Sequence, residues 1–108
     1  MTRVQVAWSA TARRDLEAIV RHIASDSADK ALAVLDRLES RAATLTTHPE
    51  RGRVVPELRA VGVLHYQEII ERPWRILYRV QGDRVLVLAV LDGRRNLTAL
   101  LLERLVRS

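Results

Sequence analysis

The chain has 108 residues, 48% of them hydrophobic and 29% charged, with a formal net charge of +5. That length fits one domain over residues 1–108, and no apolar run approaches the ~20 residues of a membrane helix, so no membrane partner is expected. The lack of cysteine excludes a disulfide framework and a thiolate site, and the opening MTRVQVAWSATARRD has no secretory apolar region, so the expected compartment is the cytoplasm.

Val4, Val6 and Trp8 alternate with Arg3, Gln5 and Ala7, which predicts a short strand with one apolar face. Ser9 stands at an N-cap position, and Ala12, Leu16, Ile19, Val20, Ile23 and Ala24 recur at helical spacing as far as Ala24. Asp15 and Glu17 read as anions favoured by the dipole of that helix's opening turn. The polar break Ser25-Asp26-Ser27-Ala28-Asp29 supplies caps for a second helix with the apolar stripe Ala31, Leu35, Leu38, Ala42 and Leu45. A break this short makes an antiparallel helical hairpin.

His48-Pro49 ends the second helix, and Pro49, Gly52, Pro56 and Gly62 punctuate the segment 46–63. Loops of that length are functional or hide a short element, and this one carries Arg51, Arg53 and Arg59 beside Glu50 and Glu57. Leu64 to Glu71 predicts a strand. Trp74 to Val80 predicts another, with Trp74, Ile76, Tyr78 and Val80 on a core face and Arg75, Leu77 and Arg79 on a largely cationic one. Val85 to Leu91 is apolar at every position, as in a central strand covered on both faces. Gln81-Gly82-Asp83 supplies the positive φ of a tight hairpin, and Asp92-Gly93 ends the last strand. The tail from Asn96 to Ser108 predicts a helix lined by Leu97, Leu100, Leu101 and Leu105 and widened by Leu102 and Val106. The order is βααβββ(α): an α+β fold with an antiparallel meander packed by an N-terminal helical hairpin, followed by a C-terminal helix. Trp8, Leu16, Leu38, Ile76 and Val87 are the expected core.

Residues 1–50 carry seven basic and seven acidic side chains, whereas residues 51–108 carry eleven arginines and six acids, so the whole cationic excess lies in the second half. Seventeen of the eighteen basic residues are arginine, which suits bidentate binding of phosphate or carboxylate. Arg75, Arg79, Arg94 and Arg95 are expected near one another, as an electropositive pocket for a phosphodiester or for a partner's carboxylates. A solvated sheet face paired with Glu68 and Glu71 is the alternative. With no glycine-rich phosphate loop, metal-ligand spacing or cysteine nucleophile, neither metal nor cofactor is expected. His22 reads as a surface group, His48 as a helix C-terminal cation, and His65, the one histidine on the sheet, as a candidate general base.

The opening VAWSATARRDLEAIVRHIA, the segment PERGRVVPEL, the stretch PWRILYR and the closing VLVLAVLDGRR together resemble the RelE/ParE superfamily of bacterial type II toxins over nearly the whole chain. The resemblance implies a small toxin in a hetero-oligomer with a cognate antitoxin that packs across its sheet and helical hairpin. RelE-like members cut messenger RNA on the ribosome with basic residues and a C-terminal tyrosine or histidine. ParE-like members poison DNA gyrase without a hydrolytic site. The RelE-type arginines fall on Arg75 and Arg95, but six residues beyond Arg95 this chain has Leu101 in place of the aromatic, and its only lysine is Lys30. The His-Gly-Arg-Arg common in ParE-like members stands here as Asp92-Gly93-Arg94-Arg95. The resemblance thus implies first a ParE-like gyrase inhibitor, with Arg53, Arg75, Arg79, Arg94 and Arg95 binding antitoxin or target. The alternatives are a ribosome-dependent messenger RNA endonuclease using Arg75, Arg95 and His65, or a degenerate, non-toxic binding partner.

Overall fold

In the computed structural model, which describes residues 3–95 and 97–107, the hydroxyl of Ser9 accepts the Ala12 N–H at 3.0 Å. That cap starts helix α1, Ala10–Ala24, directly after strand β1, Gln5–Trp8. Ser27 repeats the device on the Lys30 N–H at 3.2 Å and starts α2, Ala28–Ala43. After a 3₁₀ turn at Thr44–Thr46, the long punctuated segment does hide short elements, strand β2 at Arg53–Val54 and helix α3 at Pro56–Arg59. Strands β3 (Gln67–Glu71), β4 (Trp74–Gln81) and β5 (Arg84–Asp92) follow, then helix α4, Thr98–Arg107. Gly82 takes the expected positive φ, 59°, in the β4–β5 turn. Asn96 and Ser108, the bounds expected for the last helix, and the side chains of Leu105 and Val106 lie outside the described residues.

The α+β fold follows the predicted order, but the sheet is larger than a three-stranded meander. Its order is β1-β5-β4-β3-β2, with β1 parallel to β5 and the other pairs antiparallel. The third strand also starts later than expected. Leu64 is exposed, because the chain first closes a turn in which Val63 N–H donates to the Leu58 carbonyl at 2.9 Å and Val55 N–H to that of Tyr66 at 3.0 Å.

The hairpin of α1 and α2 covers one sheet face, where Leu16, Leu38, Leu45, Ile76, Tyr78 and Val87 are buried together. Trp8, expected in that core, is only partly buried because β1 is an edge strand. On the opposite face α3 and α4 build a second core from Val55, Leu58, Leu77, Ala89, Leu91, Leu97 and Leu101. That second core replaces the open cationic face expected around Arg75 and Leu77, both of which are buried. A bulge lets β5 serve both sides. Leu77 pairs with Ala89 and Tyr78 with Val87, so Leu88 is the extra residue and the inward parity changes from Val85 and Val87 to Val90.

Tyr78 locks the loop before β2 onto the sheet. Its hydroxyl accepts the Gly52 N–H and donates to the Pro49 carbonyl, both at 2.9 Å, and burial raises its pKa. A Cβ on Gly52 would lie 2.5 Å from both that hydroxyl and the Glu68 carbonyl oxygen. Because the carbonyl belongs to a paired strand and cannot swing aside, Gly52→Ala is expected to lower stability by about 1–3 kcal/mol. Urea unfolding checks this, and a loss under about 0.5 kcal/mol would mean that the loop yields instead.

Candidate functional site

The sheet brings Arg75 and Glu68 together on adjacent strands, on the face covered by α3. Arg75 Nε donates to Glu68 Oε1, while its Nη1 and Nη2 form a fork onto the two oxygens of Glu57, all at 2.6 Å. The other Glu68 oxygen accepts Arg53 Nε at 2.8 Å. Two cations and two anions thus close into a neutral network whose centre, Glu68 and Arg75, is 1% and 8% exposed. The fork from Arg75 lowers the Glu57 pKa against the opposing effect of burial, and the same bonds raise that of Arg75. Gly93 completes the fit: its N–H donates to the Pro73 carbonyl at 2.8 Å, and a Cβ there would stand 3.1 Å from the Arg75 stem.

The four arginines expected in one pocket are engaged differently. Arg75 points into the ion network. Arg79 lies four residues further along the same strand, roughly 13 Å away, with its guanidinium 6.0 Å above the Tyr66 ring. Arg94 folds back on Asp92 at 2.7 Å and holds that carboxyl down at a pKa of about 2. Arg95 is exposed in the corner after β5, and Arg53 keeps an exposed side chain while bound to Glu68. His65 is exposed and stacks on Tyr66 with ring centroids 4.3 Å apart. Of the expected acid partners, Glu68 does meet Arg75, but Glu71 pairs with Arg37 of α2 at 2.8 Å.

Sequence reasoning missed a second constellation. Asp15 is not a first-turn dipole anion: it accepts both Nη groups of Arg104 at 2.8 and 2.9 Å, and the Val90 N–H at 3.0 Å. This one carboxylate ties α1, the bulged β5 and α4 together. Beside the tie lies a groove of about 690 Å³ that runs from Ser9, Thr11 and Arg14 at the start of α1 across Leu86 and Leu88 of β5 to Arg79 and Tyr66, with Leu101 and Arg104 of α4 in its lining. The signal available in the sequence was the continuous apolarity of β5. Among the described residues no group of three or more His, Cys, Asp and Glu is placed to hold a metal ion, and no helix is long and apolar enough to cross a membrane.

The comparisons with known proteins agree with this architecture. Residues 6–97 match the family model described as the ParE toxin of the type II toxin-antitoxin system, parDE. The chain is 38% identical over 86 residues to Toxin ParE3 of Caulobacter vibrioides, a match that spans 79% of this chain and 82% of that protein. Among solved structures it is similar to a chain of the chromosomal ParDE system from P. aeruginosa, with TM-score 0.67 and 22% identity over 83% of this chain and 96% of that one. It is also similar to a chain of the RelBE2 toxin-antitoxin complex from Mycobacterium tuberculosis, with TM-score 0.61 and 22% identity over 84% and 99% of the two chains.

Proposed function

The chain belongs to the ParE toxin family of type II toxin-antitoxin systems, and on that premise we propose that it is a cytoplasmic inhibitor of DNA gyrase, neutralised in a complex with a cognate antitoxin. The observation that carries the choice of target is the state of Arg75. A nuclease built on this scaffold would need that guanidinium free to meet the scissile phosphate. Here Nε and both Nη groups are occupied by two carboxylates at 2.6 Å. A phosphate would have to displace a buried, charge-matched pair, which is costly in a site of low effective dielectric. Leu101, at the position of the missing aromatic, is 3% exposed inside the second core and offers no proton donor. Binding, not bond cleavage, is the chemistry these residues support. Arg79 and Arg95, together with the exposed parts of Arg53 and Arg94, carry the contacts with antitoxin or target, and Arg75 holds the scaffold beneath them.

Inducible expression of the chain without antitoxin tests the proposal. Cells are expected to filament and mount a DNA-damage response, with gyrase supercoiling impaired and messenger RNA intact. Ribosome-dependent cuts in messenger RNA that vanish in Arg95→Ala would overturn gyrase as the target in favour of the nuclease. A bound antitoxin with neither effect would leave a non-toxic partner.

A further inference from the structure

On the solvent side of the helical hairpin, Leu32 of α2 is 63% exposed, the most exposed of the large hydrophobic side chains among the described residues. Beside it, between α1 and α2, runs a second groove of about 380 Å³ with Leu16, Val20 and Leu35 in its lining. Arg13, Glu17 and Arg21 of α1 and Glu39 of α2 line it as well, and among the described residues none of these four charged groups enters an ion pair. The heights of these side chains follow from the turn. The connection between the helices is centred on Asp26, so residues equally far from Asp26 stand level on the two helices. Val20 and Leu32 are each six residues from it, and Arg13 and Glu39 are each thirteen.

Charge and shape select a second copy of this chain as the occupant. The groove walls hold two arginines and two glutamates, so a nucleic acid or a peptide of one sign meets two like charges for the two opposite charges it gains. The hairpin face offers its own complement. A two-fold axis running along the hairpin lays α1 of each copy over α2 of the other at equal height. Each Leu32 then enters the other copy's groove over Val20, and each Arg13 meets the other copy's Glu39, so every contact is made twice. We infer that this face is a homodimer interface, with Leu32 as its apolar knob and the Arg13 to Glu39 pairs fixing its register. Helices of 15 and 16 residues present a face about 22 Å long and about 20 Å wide, which buries on the order of 900 Å² over the two copies. That is the low end for specific association, and it corresponds to a Kd in the micromolar range. The interface lies across the sheet from α3 and α4, and it does not depend on which target the toxin blocks.

Sedimentation velocity of the full chain, purified alone, tests the interface. The unaltered chain is expected to pass from monomer to dimer as its concentration rises through about 1–100 µM. Leu32→Glu is expected to weaken the dimer roughly tenfold or more while leaving the melting temperature unchanged, because the side chain is exposed in the monomer. The control Leu64→Glu, at a leucine 60% exposed in the turn before β3, is expected to change the affinity less than about twofold. Arg13→Glu and Glu39→Arg each set like charges against each other and are expected to weaken self-association about fivefold or more. An equimolar mixture of those two variants restores both opposite-charge pairs across a heterodimer, and is expected to associate within about twofold of the unaltered chain. A chain still monomeric at about 200 µM, a dimer indifferent to Leu32→Glu, or a mixture of the charge variants no tighter than either alone overturns the interface.

Discussion

Arg75→Ala is expected to destabilise the protein by about 3–5 kcal/mol, because it leaves the fully buried Glu68 carboxylate without its main counter-charge and frees α3 from the sheet. For a domain of this size that lowers the melting temperature by at least about 12 °C. Arg75→Lys recovers little of the loss, since a single ammonium cannot fork onto Glu57 and reach Glu68 at the same time. Arg75→Met combined with Glu68→Leu should recover a large part, as an uncharged pair of similar volume leaves no buried ion. The network also sets a pH dependence. The Glu57 pKa is lowered in the folded chain, chiefly by the Arg75 fork, so its contribution is complete above the ordinary carboxylate value of 4.5 and disappears as pH falls through the folded value. Glu57→Gln should therefore differ most from the unaltered chain near neutral pH and converge with it in acid. Urea titrations at pH 7 and pH 3 measure both effects. An Arg75→Ala loss no larger than that of Arg79→Ala would remove Arg75 from its structural role and return it to the pool of free cations.

Leu38→Ala is expected to cost about 2–5 kcal/mol. The side chain is fully buried between α2 and the sheet, in one cluster with Leu16, Ile76 and Val87, and its loss leaves a cavity that rigid strands cannot close. Arg41, one helical turn on, is only partly buried and makes one long bond, from Nε to the Ile70 carbonyl at 3.3 Å. Arg41→Ala should therefore cost under about 1 kcal/mol. The contrast isolates the buried face of α2. Small, equal losses at the two positions would mean that the hairpin packs on the sheet through another face.

Sequence alone determined those features whose causes are local. Ser9 and Ser27 cap their helices because a hydroxyl before a periodic apolar run has amide N–H groups within reach, whatever lies beyond. The stripe of α2, the Gly82 turn and the alternation of Ile76 with Leu77 are likewise repeats of a few residues. Those signals carried the fold class and the hairpin, while the RelE/ParE resemblance rested on four stretches of sequence in register. The destination of each charge was not legible. Arg75 and Arg79 sit in the same strand with the same parity, yet one is buried in an ion network and the other flanks an open groove, because α3 delivers Glu57 from 18 residues upstream to only one of them. Asp15 reads as a helix-dipole anion until a residue 89 positions later folds onto it. The bulge at Leu88, which decides which leucines remain uncovered, depends on strand pairing and not on composition. Periodicity is a property of neighbours in the chain. The pairing of charges and the covering of a strand's second face are properties of neighbours in space, and only the tertiary structure decided them.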